Sequence, residues 1–122
     1  MKERIKIRVV LVLMIFIVVL VGCGNKPNND VREVIDAIME KEWQDEYEYS
    51  EDDYSFKVYY SELLDVYMAH AFIPYNGEPN RMDFLYSYQL KELDRNGSIS
   101  QLSNILKEGN YEEVYRSGIF DE

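Results

Sequence analysis

A single cysteine, Cys23, follows an unbroken apolar run from Val9 to Val21, and this placement restricts which part of the chain can fold. The first eight residues carry four basic side chains and one acidic one. A basic start, an apolar middle and a small residue such as Gly22 are typical of a secretory signal peptide. The run has 13 residues, whereas a helix that spans a bilayer needs about 20. The sequence therefore predicts a signal peptide over residues 1–22.

The four residues Leu20–Cys23 resemble the lipobox of bacterial lipoproteins. In that family the cysteine thiol takes a diacylglyceryl group, and a dedicated peptidase cuts directly before it. The resemblance implies cleavage between Gly22 and Cys23, with the lipid on Cys23 holding the chain at the outer face of the bacterial cell membrane. A secretion signal with a chance cysteine and a single transmembrane anchor are the two alternatives.

The part of the chain from Cys23 onwards is small and strongly acidic. Its nine basic and 22 acidic side chains give a formal net side-chain charge of −13. Nucleic acid is therefore excluded as a partner, because phosphate contacts need clustered Lys and Arg. With the thiol lipidated, no disulfide can form and the domain must rely on its core. Residues 23–29 are expected to be the lipidated cysteine and a flexible polar tether, and residues 30–122 a single domain.

The first part of this domain has a helical pattern followed by an alternating one. Over residues 30–44 apolar side chains recur at spacings of three and four, which predicts an amphipathic helix. Asp30 followed by Glu33 resembles a capping box at its start. The acidic residues 45–53 are predicted to form a solvated loop, although their carboxylates are of the type that binds hard cations. Residues 54–60 alternate and predict a strand.

The middle of the chain is predicted to continue the sheet. Residues 61–73 fit both a helix and a strand, and the following Pro74 favours a strand over 65–73. Residues 75–80 have the composition of a turn or loop. Alternation over residues 82–90 predicts the clearest strand of the chain, with Leu90 on its apolar face.

The last part is predicted to be helical. Residues 94–97 have the composition of a turn. Ser98 is a suitable N-cap for a short helix that Gly109 would end. Asn110 is a suitable N-cap for a second short helix that ends near Gly118. One longer helix, antiparallel strands and short helices together indicate an α+β domain.

This order of elements resembles the cystatin-like fold, in which a strongly bent antiparallel sheet wraps around one helix. The likeness covers residues 30–92, and small lipoproteins of Gram-positive bacteria are known with that fold. One set of them, encoded on integrative and conjugative elements, acts in exclusion: the lipoprotein sits on the recipient surface and blocks redundant entry of the element by engaging its transfer machinery. The resemblance implies a similar role here, with a membrane protein of the conjugation channel as the partner.

The residue types that carry catalysis are scarce. His70 is the single histidine, and once Cys23 is lipidated its metal co-ligands would have to be carboxylates, which is unusual for catalytic zinc. There is no G-x-S-x-G motif and no glycine-rich phosphate loop. The sequence therefore predicts no catalytic residue, no cofactor and no metal site, and hence no enzyme.

The abundance of tyrosine is the sequence feature that favours a binding function. All eleven tyrosines follow the predicted signal peptide. Exposed tyrosine is favoured at recognition surfaces, and tyrosine also suits strands and cross-strand pairs, so both explanations stand. The predicted contacts with a protein partner are Tyr75, Asn76, Gly77, Glu78 and Tyr86.

The predicted function is that of a non-catalytic protein-binding module at the cell surface. One alternative is that the cleaved signal peptide supplies a peptide pheromone, since the apolar residues 15–22 are similar in character to those that become pheromones in some enterococcal lipoproteins. The other is a surface-tethered module with a binding role different from exclusion. Inhibition of proteases is excluded by the absence of the Q-x-V-x-G loop of inhibitory cystatins.

Overall fold

The computed structural model describes residues 27–95 and 97–121. The predicted signal peptide, its cleavage site, Cys23 and most of the tether lie outside the described residues and stay predictions. The same holds for the pheromone segment at 15–22. Within the described ranges, no helix combines the length and the apolar character that a membrane crossing requires.

The first element is the helix α1, Asn29–Lys41. Its N-cap is Asn28, whose side-chain oxygen accepts a hydrogen bond from the backbone N–H of Val31 at 2.8 Å. The predicted capping box is therefore wrong, because Asp30 already lies in the first turn. The helix also ends three residues earlier than predicted, at Lys41. Its apolar stripe is buried as expected and consists of Val31, Val34, Ile35 and Ile38.

Five antiparallel strands form a single sheet. They are β1 (Ser55–Ser61), β2 (Val66–Tyr75), β3 (Glu78–Gln89), β4 (Glu92–Arg95) and β5 (Glu112–Arg116). Their order across the sheet is β4-β3-β2-β1-β5. A short helix α2, Leu102–Glu108, follows β4. The predicted α+β class, with one helix before an antiparallel sheet and short helices near the end, is confirmed.

The predicted strand before Pro74 is confirmed, and the predicted turn after it is confirmed but is shorter than residues 75–80, because Tyr75 and residues 78–80 belong to the strands. β2 continues through Pro74 to Tyr75, and its pairing with β3 shifts register between Ile73 and Tyr75. Such an irregularity accommodates proline, which has no N–H to donate to the ladder. The connection is only the two-residue turn Asn76–Gly77, whose φ angles of 52° and 81° are those of a type I′ hairpin.

A second two-residue turn joins β3 to β4, a strand that the sequence pattern did not reveal. Leu90 and Lys91 both have positive φ, at 51° and 63°. The predicted inward position of Leu90 is wrong, since 91% of this residue is exposed. The predicted turn at 94–97 begins too early, because Asp94 and Arg95 still belong to β4.

The end of the chain holds one confirmed and one wrong prediction. Ser98 caps a 3-10 turn that leads into α2, with its hydroxyl accepting from the backbone N–H of Ser100 at 3.2 Å. Gly109 caps the other end of α2, as predicted. The second predicted helix, after Asn110, is instead β5, which pairs along β1. Pairing with an open sheet edge outweighs the weak local preference for a helix.

Both faces of the sheet are covered. On one face α1 packs over the main core, which includes Phe56, Val58, Ala71 and Tyr86. On the other face α2 packs over a smaller cluster formed by Tyr59, Met68 and Leu85. Because successive residues of a strand point to opposite faces, covering both faces buries neighbouring positions of the same strand. A pattern with one apolar face does not predict this.

Candidate binding surface at the hairpin tip

The β2–β3 turn and the segment that follows α1 meet at one end of the sheet. The side-chain amide of Gln44 donates a hydrogen bond to the carbonyl oxygen of Pro74 at 3.3 Å, and the backbone N–H of Gly77 donates to the hydroxyl of Tyr49 at 2.8 Å. These two bonds join segments about thirty residues apart. We call the surface that they hold together the tip surface; it consists of Trp43, Tyr47, Tyr49, Tyr75, Asn76, Gly77 and Glu78.

The turn of the tip surface is fixed by the tyrosines beneath it. The rings of Tyr47 and Tyr49 stack with centroids 5.6 Å apart at an interplanar angle of 24°. A Cβ atom at Gly77 would lie 3.3 Å from Cε1 of Tyr47, so the glycine backbone rests directly on that ring. The turn therefore presents its side chains from an ordered backbone, which lowers the entropic cost of binding a partner.

Two large aromatic side chains of the tip surface are exposed to solvent. Trp43 is 53% exposed and Tyr75 is 45% exposed. The indole N–H of Trp43 donates to the carboxylate of Asp45 at 2.9 Å, which restricts the orientation of its ring. Tryptophan and tyrosine are the residue types that most often dominate the binding energy of protein interfaces.

The charge around these rings is mostly negative. Glu78 forms an exposed ion pair with Arg81 at 3.2 Å. Asp45, Glu46 and Glu48 are exposed in the segment that carries Tyr47 and Tyr49. An acidic surface steers a basic partner towards it and discriminates against acidic ones.

The structure brings four of the five predicted contact residues together and removes the fifth. Tyr75, Asn76, Gly77 and Glu78 form the exposed end of the β2–β3 hairpin. Tyr86 is wrong as a contact residue, because it has no exposed surface and lies in the core beneath α1.

Sequence reasoning missed the aromatic residues that precede β1. Trp43 follows the apolar spacing of α1, but the helix ends at Lys41 and leaves the indole outside the core. Tyr47 and Tyr49 stood in a stretch interpreted as a solvated loop. The signal that could have marked them is the aromatic residue at every second position in an otherwise acidic segment.

The side chain of His70 contacts an acidic residue and two aromatic rings. Its Nε2 lies 2.9 Å from a carboxylate oxygen of Asp83 across the β2–β3 pair. Its ring lies 5.3 Å from that of Phe72 and 5.0 Å from that of Phe120, measured between centroids. Among residues 27–95 and 97–121, no three His, Cys, Asp or Glu side chains are placed to hold a metal ion together.

The tyrosines divide between structure and surface. Tyr54 and Tyr86 are buried, whereas Tyr75 is exposed and most of the others are half-buried. The hydrogen bond that Tyr60 donates to Asp65 raises the pKa of its phenol to about 12. Burial raises the pKa of Tyr86, Tyr67 and Tyr88.

These shifts predict a loss of stability at high pH. Phenols of the unfolded chain release their protons near pH 10, while the folded chain keeps them. The stability contributed by these protonated phenols is therefore complete below about pH 10 and is lost as the pH rises towards 12. Urea unfolding between pH 8 and 11.5 should show a falling midpoint, and Tyr60→Phe should make that fall shallower. A midpoint independent of pH in this window would contradict the assignment.

Gly77→Ala tests the construction of the tip. A side chain at φ 81° costs about 1 kcal/mol, and the new Cβ would also press on the ring of Tyr47. We expect the urea midpoint to fall by a corresponding amount and the amide proton of residue 77 to lose its protection from exchange. Gly97→Ala is the control, since its φ is also positive and an added Cβ would meet the flexible end of the Gln101 side chain. Equal midpoints and equal amide exchange in wild type and Gly77→Ala would mean that the turn is not held by Tyr47 and Tyr49.

Comparison with known proteins identifies no relative of this chain. No protein-family model, no curated protein and no solved structure matches this chain.

Proposed function

We propose that this chain is a surface-tethered, non-catalytic protein-binding module whose tip surface contacts the partner. The observation that carries the proposal is the exposure of Trp43 and Tyr75 beside a turn whose backbone is bonded to Tyr49. Exposed aromatic rings on a pre-ordered support give contact area at a low entropic cost. The non-catalytic part is supported by His70, whose ring packs against two phenylalanines.

The tether is supported by the lipobox-like residues Leu20–Cys23. Cys23→Ser should abolish incorporation of a radiolabelled fatty acid and release the chain from the membrane fraction, because a serine hydroxyl does not form the thioether. The control is Ser50→Ala, an exposed substitution in the domain. Retention of the acyl label by Cys23→Ser would exclude lipidation at this position.

A cystatin-like fold and a role in exclusion extend this proposal. One helix packed across an antiparallel sheet is compatible with a cystatin-like fold, and we extend the proposal to that fold and to exclusion. In this role the acidic, aromatic tip surface on a recipient cell engages a membrane protein of the donor's transfer machinery. The negative charge of the domain supports a partner with a basic docking surface.

A mating assay tests the proposal. Recipients that display the chain should acquire the matching conjugative element less often than recipients that lack it. Trp43→Ala and Tyr75→Ala should each weaken partner binding by about thirtyfold or more, since truncating a hot-spot residue costs about 2 kcal/mol or more, and transfer should recover. Leu63→Ala is the matched control, because Leu63 is also exposed and apolar but lies in the β1–β2 turn at the other end of β2. Recovery of transfer with Leu63→Ala alone would exclude the tip surface.

A further inference from the structure

Three tyrosine rings line a cleft of about 410 Å³ at the end of the sheet opposite the tip surface. Tyr60 of β1 is paired with Tyr67 of β2, and Tyr67 is paired with Tyr88 of β3. The rings of Tyr60 and Tyr67 have their centroids 4.6 Å apart. Tyr67 lies eight residues before Tyr75 along β2, or about 26 Å at the rise of a strand. The cleft and the tip surface are therefore separate features.

Each of these rings has a carboxylate beside it. The hydroxyl of Tyr60 donates to the Asp65 carboxylate at 2.7 Å. The hydroxyl of Tyr88 donates to that of Glu33 at 3.4 Å. Asp30 lines the same cleft.

The phenols stay neutral next to these charges. The hydrogen bond to Asp65 raises the pKa of Tyr60 to about 12. Burial in the first place, and then the charge of Asp30, raises the pKa of Tyr67. The tyrosines therefore hold the carboxylates in position as hydrogen-bond donors without neutralising them.

The negative charge of the cleft is only partly compensated. The ammonium group of Lys91 bonds both oxygens of Glu33, at 2.8 and 2.9 Å. Within the described residues, neither Asp30 nor Asp65 forms an ion pair with a basic group within 4 Å, although the charge of Asp30 contributes to raising the pKa of Lys91. Lys91 sits at the edge of the cleft in the β3–β4 turn, and three quarters of its side chain is exposed. Among the described residues that line it, the cleft thus holds three carboxylates and one cation, the exposed Lys91.

We propose that this cleft receives a lysine side chain of a partner protein. Aromatic faces and carboxylates both attract an alkylammonium group, and the attraction of the rings increases when the cation is desolvated. Lys91 shows an ammonium group of the same chemistry bound at the rim of the cleft. The volume exceeds that of one lysine side chain and falls in the range of ligand pockets.

A metal ion fits the cleft less well than an organic cation. Two of its carboxylates accept hydrogen bonds from different phenols, which holds them apart. The described part of the chain places no three metal-binding side chains together. A diffuse cation with an apolar stem matches rings and separated carboxylates better than a compact ion that needs convergent oxygen ligands.

The test uses the full-length chain in a non-ionic maltoside micelle, which itself carries no ammonium group. The probe is the blocked tripeptide Gly-Lys-Gly, titrated to millimolar concentration while the tyrosine ring resonances are followed by NMR. The expected result is a saturable shift at Tyr60, Tyr67 and Tyr88 and none at Tyr75. The matched peptide with norleucine in place of lysine, which keeps the apolar stem and lacks the charge, should cause no shift.

Variants separate the charges of the cleft. Asp30→Asn and Asp65→Asn conserve side-chain size, and each should weaken lysine peptide binding by about threefold to tenfold, as expected for a charge pair at a partly exposed site. Lys91→Gln removes the internal competitor for Glu33 and should strengthen binding. The unfolding midpoint of each variant shows that the fold is retained.

Three outcomes would overturn the proposal. One is the absence of shifts at the three rings, and another is an equal response to the norleucine peptide. The third is a tighter response to choline than to the lysine peptide, which would assign the cleft to a quaternary ammonium headgroup instead. Failure of the tip variants in the mating assay would leave this proposal intact, because the two sites are read out at different tyrosines.

Discussion

Replacing Tyr86 by alanine is expected to lower the free energy of unfolding by about 3 to 5 kcal/mol, the usual range for removing a buried aromatic ring. Tyr86 has no exposed surface and packs in the main core beneath α1. Its hydroxyl also donates to the carboxylate of Glu42 at 2.9 Å, and that carboxylate pairs with Arg95 at 2.5 Å. Truncation therefore opens a cavity and removes a hydrogen bond from a carboxylate that is itself largely buried. Urea unfolding followed by circular dichroism measures the loss.

A pair of tyrosine-to-phenylalanine variants separates the two parts of this effect. Tyr86→Phe keeps the ring and should still cost about 1 to 3 kcal/mol, because Glu42 loses its buried partner. Tyr54→Phe is the control, since the hydroxyl of Tyr54 is buried and has no hydrogen-bond partner within the described residues. It should be neutral or stabilising. Equal losses in the two variants would contradict a role for the Tyr86–Glu42 bond.

Gly118→Ala is expected to lower the free energy of unfolding by about 2 to 4 kcal/mol, from the left-handed backbone and the steric clash together. The φ angle of Gly118 is 63°, and an added Cβ would lie 2.1 Å from the hydroxyl oxygen of Ser55 and 3.0 Å from its Cα. That hydroxyl donates to Asn80 at 2.7 Å and accepts from the backbone N–H of Ile119 at 2.9 Å. The substitution must therefore separate the end of the chain from β1.

The loss of that contact has a local signature. Phe120, two residues after Gly118, lies against the rings of His70 and Phe72. The ring-current shift of the His70 protons should therefore collapse in Gly118→Ala and persist in Gly97→Ala, whose added Cβ meets the flexible end of Gln101. An unchanged His70 spectrum in Gly118→Ala would show that the chain end is not fixed by Gly118.

The elements that could be predicted from the sequence are those with a long and regular pattern. α1 and the strands β1, β2 and β3 each have enough alternating or helical positions to be recognised. β4 has only four residues, too few for a period to show. β5 has four exposed positions out of five, with Tyr115 as its half-buried one, so its conformation is set by pairing with β1 rather than by its own side chains.

The sequence predicts only the part of the tip surface that a local motif marks. Asn76 and Gly77 mark a tight turn by their composition, so the β2–β3 turn was identified as a contact region from local sequence. Tyr86 is wrongly predicted as a contact residue, because alternation along a strand does not reveal which face of the sheet a helix will cover. Gln44 and Tyr49 reach the turn only through the tertiary contacts of the segment that follows α1, and no local pattern reports such contacts.

Photo-crosslinking on intact cells during mating shows directly whether the tip surface contacts a protein of the donor cell. A benzoylphenylalanine probe at Glu78, which pairs with Tyr75, leaves the aromatic residues of the tip surface unchanged. A probe at the exposed Leu63 in the β1–β2 turn is the control. We expect the Glu78 probe to capture a membrane protein of the donor's transfer channel, and Tyr75→Ala to reduce this capture. Capture of the same proteins from both positions, or of no donor protein from Glu78, would contradict a partner-binding tip surface.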